Sequence, residues 1–217
     1  MSLLFQGPYI DYLRSRPPLL SAEYFGHGSS TMLFSSEGRL FRLTRQGCGH
    51  NFVSRQSALG NPHVPRVIKD FGPVSPSDED KDDFYWLAQV EWLQDLDPAN
   101  AVTERLAALL IELTDDKPQI YGEDLKQFAY RCLELSNEEP DLRGLLTTLA
   151  TMATFATEYQ AEADIKLDNI MLRPGTNELV LADPICDTYF AIDGAQQERM
   201  KQIRAYVLDE MTSRKCP

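Results

Sequence analysis

The chain has 217 residues, of which 43% are hydrophobic and 25% are charged, a composition typical of a soluble globular protein. Its 33 acidic and 21 basic residues give a formal net charge of −12, which repels phosphate backbones and argues against nucleic acid as a primary partner. Four scattered cysteines without a CxxC pair, and no apolar run near the roughly 18 residues that span a bilayer, predict a cytoplasmic protein with no membrane partner.

Residues 1–93 predict a β-rich unit, the first of two expected domains. Alternating apolar and polar side chains and flanking turn residues indicate five strands. In the third strand the alternation suggests that only one face is buried. A short helix is expected over residues 51–59, and the segment Pro73–Asp83 is expected to be an exposed loop. The five predicted strands are Ala22–Phe25, Thr31–Ser35, Arg39–Thr44, Arg66–Phe71 and Phe84–Trp92.

Residues 94–217 predict a helical unit, the second domain. Helical spacing of apolar residues predicts helices at Ala101–Thr114, Asp124–Leu135, Asp141–Tyr159 and Gln196–Met211. The third has the broadest apolar face and is expected to be buried. A small hairpin interrupts the helices, with its turn at 174–177 and its second strand at Leu179–Leu181. The chain is therefore expected to be an α+β protein of two lobes, with a ligand cleft between them.

The residues most informative about chemistry lie between Asp164 and Asp183. Asp164 is followed five residues later by Asn169 in a loop, and the hairpin returns the chain to Asp183. Phosphoryl transfer needs a carboxylate facing the incoming hydroxyl and hard oxygen ligands for a metal that bridges the phosphates. This spacing can present a base, an amide oxygen and a second carboxylate toward one point.

This segment resembles the catalytic loop and metal-binding aspartate of the protein-kinase superfamily. The resemblance implies that Asp164 is the catalytic aspartate and that Lys166 neutralises the transferring phosphate. It implies that Asn169 and Asp183 hold Mg²⁺, and that ATP is the nucleotide. A lysine two residues after the aspartate is similar to the serine/threonine class.

The N-terminal half offers matching positions for the nucleotide. Gly26-His27-Gly28-Ser29 lies between two predicted strands, like the glycine-rich loop that covers ATP phosphates, where glycine lets the backbone approach closely. By the same resemblance, Gly26, Gly28 and Ser29 contact the phosphates. Arg42 stands where a lysine usually grips them, and Glu91 and Leu93 fall on the hinge that contacts adenine.

Within the superfamily, the chain resembles the small host-shutoff serine/threonine kinases of short-tailed bacteriophages. The matching pieces are Gly26-His27-Gly28-Ser29, Asn61-Pro62-His63-Val64-Pro65-Arg66-Val67, and Asn169-Ile170-Met171 with the later Asp183-Pro184. Asp-Pro replaces the Asp-Phe-Gly of ordinary kinases in both. The resemblance implies ATP-dependent phosphorylation of host proteins in an infected bacterial cytoplasm.

Two departures keep other functions open. Arginine at position 42 is bulkier and more forked than lysine, and no Asp or Glu between Arg39 and Lys69 could pair with it in the usual way. No Ala-Pro-Glu motif follows Asp183, which argues against an activation segment. One alternative is a pseudokinase that inhibits a host protein by binding. Another is a small-molecule phosphotransferase of the aminoglycoside-kinase type, which shares the Asp…Asn…Asp pattern.

Overall fold

A computed structural model of the chain describes residues 5–80, 82–117, 119–186 and 194–213. The first half contains helix α1 (Pro8–Arg14), strands β1 (Glu23–His27), β2 (Thr31–Ser36) and β3 (Arg39–Thr44), helix α2 (Gly47–Ala58), and strands β4 (Val67–Pro76) and β5 (Phe84–Val90). The second half contains α3 (Ala101–Thr114), β6 (Gln119–Ile120), α4 (Glu123–Glu138), α5 (Arg143–Glu158), β7 (Ala163–Asp164), a 3-10 helix (Leu167–Asn169), β8 (Ile170–Leu172), β9 (Leu179–Leu181) and α6 (Gly194–Ser213).

The α+β class predicted from the sequence is confirmed. A five-stranded sheet has the order β1-β2-β3-β5-β4, and the described residues also form six α-helices. A helix after the third strand, helices after the fifth, and a loop with a short hairpin after α5 make up the element order expected of a kinase-like fold. None of the helices in the described part of the chain is long and apolar enough to cross a membrane.

The sheet differs from expectation at its centre and at one edge. β3 lies between β2 and β5 and is buried at every position except Arg39, so the predicted half-buried strand is wrong. β4 continues to Pro76 and buries Ser75, where an exposed loop was predicted. Because β4 is an edge strand, its prolines do not interrupt the sheet's hydrogen bonding.

The described residues fall into two compact units. One lies within residues 1–47, 68–90 and 188–217, and the other within 48–67 and 91–187. The first unit has the sheet with α1 and α6, and its core includes Phe34, Phe41, Leu43 and Tyr85. The predicted division into residues 1–93 and 94–217 stays a prediction.

The second unit is built around α5, whose apolar face is buried as its spacing predicts. α2 packs on this helix: the Phe52 and Phe155 rings lie 5.4 Å apart, and the Arg55 guanidinium lies 5.5 Å above the Phe155 ring. Arg55 also donates to the Tyr159 hydroxyl at 3.1 Å. α2 begins at Gly47, four residues before the predicted start, and it belongs with the helical unit from Cys48 onward.

Candidate functional site

Three of the predicted site residues are brought together by backbone hydrogen bonds. The Asp164 amide donates to the Pro184 carbonyl at 3.0 Å, and the Ala182 amide donates to the Asn169 carbonyl at 2.7 Å. Asp183 lies between Ala182 and Pro184, each of which takes part in one of these bonds. The β8–β9 hairpin, with Ile170 opposite Leu181, therefore returns Asp183 to the loop that carries Asp164 and Asn169.

Asn169 is held in one orientation by its own loop. Its Nδ2 donates to the Asp164 carbonyl at 2.8 Å, and its backbone amide donates to the Lys166 carbonyl at 3.0 Å. Only the amide nitrogen can donate a hydrogen bond to a carbonyl, so the Asn169 Oδ1 faces away from this bond. The arrangement leaves a hard oxygen ligand available on Asn169, and the half-buried Asp183 follows the residue whose amide donates to the Asn169 carbonyl.

Lys166 and Asp164 form an ion pair on this loop. Lys166 Nζ lies 2.7 Å from Asp164 Oδ1, with the lysine side chain 44% exposed and the aspartate 18% exposed. The interaction of its ammonium group with the Asp164 carboxylate raises the pKa of Lys166 above its ordinary value, against a smaller opposing effect of burial. Lys166 is therefore a permanent cation at neutral pH, 2.7 Å from the carboxylate predicted to face the acceptor.

The Cys186 thiol, just beyond the hairpin, is affected by the charges of several carboxylates. Burial raises the pKa of the Cys186 thiol, and the charges of Asp164, Glu162 and Asp183 raise it further. A site with several negative charges and an amide oxygen suits a hard divalent cation such as Mg²⁺. The described residues hold no group of three or more His, Cys, Asp or Glu side chains around a metal position. A cation held by Asn169 and Asp183 would therefore take its other ligands from phosphate and water.

The glycine-rich turn belongs to the first unit. Gly26 lies in β1 opposite Leu33, and the Gly28 amide donates to the Thr31 carbonyl at 2.9 Å. Neither glycine has a positive φ, and a Cβ atom at either would meet no protein atom within 4 Å. Gly26 adjoins an irregularity in the pairing of β1 with β2, and packing against described residues requires glycine at neither position. A ligand that approaches the backbone closely would require it.

Arg42 is 6% exposed on β3, where it lies between Leu33 of β2 and Ala88 of β5. Because Arg42 is buried, it is not an exposed side chain on the outer face of the strand. Gln56, the polar residue of α2 nearest to the usual glutamate position, accepts a hydrogen bond from Asn61 Nδ2 at 3.0 Å.

Glu91, at the predicted hinge, binds other residues of the protein through its side chain. Its carboxylate binds the Arg173 guanidinium at 2.7 Å and accepts the Arg66 amide at 2.7 Å. Burial opposes ionisation of Glu91, but these hydrogen bonds and charges outweigh it and lower the pKa of Glu91. The Glu91 amide also donates to the Arg66 carbonyl at 3.0 Å, so a hinge contact by Glu91 would have to use its backbone carbonyl. Leu93 makes no backbone hydrogen bond to the described residues, so its amide and carbonyl are available.

Arg173 is the residue of this region that sequence reasoning missed. Its side chain is 4% exposed and binds Glu91, Glu178 and the carbonyls of Pro62 and Val64. Its side chain therefore connects the β8–β9 hairpin to the predicted hinge and to the segment 61–67. Glu178 lies across the turn from Arg173 and could have been inferred from the sequence, but Glu91 is too distant along the chain.

Residues 61–67 contact α5 and β9 within the second unit. Asn61 Nδ2 donates to Thr148 Oγ1 of α5 at 3.1 Å, and His63 Nδ1 is 2.8 Å from the Leu179 carbonyl. A Cβ atom at Gly144 would clash with the His63 ring. His63 thus has a packing role in this unit.

Comparisons with known proteins give little further information. No protein-family model matches the chain, and no curated protein matches it. Among solved structures, a mutant aminoglycoside 2′-phosphotransferase-IIIa in complex with GDP is similar, with 14% identity and a TM-score of 0.33. The similarity covers 94% of this chain and 82% of the other. At these values the likeness does not bear on activity.

Proposed function

We propose that the protein is a magnesium-dependent phosphotransferase that transfers the ATP γ-phosphate to a hydroxyl group of a protein. The observation that carries the proposal is the loop in which Asn169 Nδ2 binds the Asp164 carbonyl. The same loop pairs Lys166 with Asp164. Backbone bonds on both sides of Asp183 add the second candidate metal ligand. These residue types match the base, cation and oxygen ligands that phosphoryl transfer needs.

In the proposed reaction each residue has a separate role. Asp164 orients the acceptor hydroxyl and accepts its proton as the oxygen attacks. Lys166 offsets negative charge on the transferring phosphoryl group. Asn169 and Asp183 would hold Mg²⁺, which supplies charge neutralisation between the phosphates. Such a site accelerates transfer by positioning and electrostatics.

The nucleotide contacts are proposed from the resemblance in the sequence. The backbone of Gly26, Gly28 and Ser29 would approach the phosphates, and Arg42 would supply a cation. The free backbone groups of Leu93, and the backbone carbonyl of Glu91, would contact adenine. The open space at both glycines supports the first assignment.

Transfer of labelled γ-phosphate, measured with and without Mg²⁺, tests this function. We expect the full chain to label itself or proteins of a bacterial lysate only when Mg²⁺ is present. Asp164→Asn should reduce labelling at least about 100-fold, because the base is lost. Asp168→Asn is the matched control, since Asp168 is an exposed carboxylate of the same loop. Equal labelling by the two variants would contradict the proposed role of Asp164.

Arg42 favours a second candidate, a protein of this fold that acts by binding alone. A buried arginine replaces the usual lysine, and α2 offers no acidic partner. In that case the double variant Asp164→Ala/Asp183→Ala would keep its full effect on bacterial growth. Loss of the effect together with loss of phosphate transfer would support the enzyme.

The acceptor is proposed to be a bacterial host protein. Support comes from the resemblance in residues 26–29, 61–67 and 169–171 and in Asp183-Pro184. If ATP turnover is stimulated by aminoglycosides or polyamines while no protein is labelled, the acceptor is a small molecule instead.

A further inference from the structure

A pocket of about 210 Å³ lies beside Lys166, between the C-terminal half of α3 and the loop Ile165–Leu167. We call it the acceptor pocket. Its apolar wall combines side chains from the helix and from the loop: Ala107, Leu110, Ile111, Ile165 and Leu167. Thr114, Asp116, Lys117 and Lys166 complete the lining. Because Lys166 is paired with Asp164, the pocket adjoins the carboxylate proposed to receive the acceptor hydroxyl.

The segment that follows α3 lies against β7, the strand that ends at Asp164. β6 pairs with β7, which places Gln119 opposite Asp164 and Ile120 opposite Ala163. To reach this position the chain passes through two successive left-handed residues, Asp115 (φ 52°) and Asp116 (φ 60°). Such conformations are unfavourable for residues other than glycine, and they are often found at functional sites. The strained turn places Asp116 in the pocket lining.

Asp116 is the charged residue of this pocket whose side chain has no partner among the described residues. The neighbouring Asp115 carboxylate lies 3.4 Å from Arg131 Nη1, and Lys117 Nζ lies 2.7 Å from an Asp124 oxygen. Asp116, by contrast, makes no ion pair or side-chain hydrogen bond with any described residue. The pocket therefore offers an apolar wall with one free carboxylate. Complementary chemistry is an apolar group next to a cation.

The volume distinguishes between two kinds of acceptor. Pockets that enclose drug-sized small molecules measure roughly 300 to 1,000 Å³. The acceptor pocket is smaller and suits a single amino-acid side chain. An aminoglycoside is larger, strongly polar and would leave the apolar wall unused.

We propose that the acceptor pocket binds an apolar side chain close to the phosphorylated Ser or Thr of a protein substrate, and that Asp116 binds a basic residue beside it. This inference rests on the proposed function and adds the acceptor sequence that the enzyme selects. It assigns substrate selection to α3 and the segment 115–117, outside the residues proposed for catalysis.

Filling the pocket tests the inference. The probes are peptides with one central serine in an alanine background, each carrying one leucine and one lysine within three residues of the serine, and the all-alanine parent. Ala107→Phe should occupy the pocket and lower kcat/KM for the best leucine-containing peptide about 10- to 100-fold. The parent peptide and ATP hydrolysis without peptide should be little changed. Ala108→Phe, on the exposed side of the same helix, is the matched control.

Removing the charge is the second test. Asp116→Asn keeps a side chain that tolerates the left-handed backbone. It should reduce the preference for lysine over alanine about threefold to tenfold. Asp115→Asn, whose carboxylate faces Arg131, should leave that preference unchanged.

The outcomes separate the inference from the proposed function. If the unmodified chain transfers phosphate to peptides and Ala107→Phe behaves like Ala108→Phe, the inference is wrong while the enzyme stands. If neither peptide nor protein is phosphorylated by the unmodified chain, the proposed protein kinase fails, and the inference fails with it. If the unmodified chain prefers peptides with leucine and lysine, and Ala107→Phe and Asp116→Asn both weaken this preference, the result supports both the inference and the proposed function.

Discussion

Asn169 illustrates how a single amide can organise the candidate site. Its nitrogen is used within the loop, on the carbonyl of Asp164, and this leaves its oxygen for a ligand. The residue therefore needs both a donor and an acceptor on one side chain. Aspartate, of nearly the same shape, has no donor and would place a second acceptor against the Asp164 carbonyl.

Asn169→Asp is accordingly expected to impair transfer even though it adds a possible metal-binding oxygen. The loop loses a hydrogen bond, and two acceptors face each other. We expect at least about 100-fold slower transfer and a higher Mg²⁺ concentration for half-maximal rate, both measured by γ-phosphate labelling.

Asn177→Asp is the control for that substitution, because Asn177 is exposed in the turn of the hairpin. An aspartate tolerates the positive φ of 58° at this position. Normal transfer by Asn169→Asp would show that the hydrogen bond to Asp164 does not organise the site.

At the scale of elements, the turn between β1 and β2 carries glycines that the described structure does not need. Gly26 and Gly28 have ordinary backbone angles and open space at the Cβ position. Glycine loses more entropy on folding than alanine does. Under the proposed function, close approach of the nucleotide phosphates to the backbone is the reason for glycine at these positions.

Gly26→Ala and Gly28→Ala should therefore separate stability from nucleotide binding. The thermal midpoint should stay the same or rise slightly, because alanine restricts the unfolded chain. The KM for ATP should rise about tenfold or more, since a methyl group would occupy the approach to the phosphates. Gly194→Ala at the start of α6, also in open space, serves as the control. An unchanged KM in both turn variants would remove the turn from the nucleotide site.

At the scale of the whole molecule, the second unit depends on Arg173 and Glu91. The Arg173 side chain binds Glu91 at the predicted hinge, Glu178 of the hairpin and two carbonyls of residues 62–64, and it is almost completely buried. Removing one partner of such a pair leaves a buried charge uncompensated, and this costs more than the pair itself contributes.

Glu91→Gln should consequently lower the free energy of unfolding by about 2 to 4 kcal/mol at pH 7, measured by urea denaturation. The pKa of Glu91 is lowered in the folded state, so its stabilising effect is complete above the ordinary value of 4.5. The effect is lost as the pH falls below that value, through the lowered pKa. The difference between the two proteins should therefore narrow in acid.

Glu112→Gln is the exposed comparison, because Glu112 is 68% exposed and 3.9 Å from Arg131. It should change the unfolding free energy by less than about 1 kcal/mol. A Glu91→Gln effect no larger than this would mean that Arg173 finds sufficient partners in Glu178 and the two carbonyls.

Local patterns predicted much of this molecule. The spacing of Leu106, Leu109, Leu110 and Leu113 predicted α3 with its observed bounds, because one apolar face determines such a helix. The Asp164–Asn169 spacing was informative because both residues lie in one short loop. Burial of β3 on both faces depends on distant elements that cover it. The Arg173–Glu91 pair joins residues 82 positions apart, so neither feature could be predicted from local sequence.

The docking of α2 on α5 has a consequence for how the proposed activity could be controlled. In a kinase-like chain the helix after the third strand is the part that would have to swing for an on–off switch. Here Phe52 and Arg55 are packed against Phe155, and Asn61 after the helix is bonded to Thr148. These contacts hold α2 against α5 at Phe52 and Arg55 and again just after the helix ends. If the chain transfers phosphate as proposed, we expect no regulation that requires α2 to leave α5.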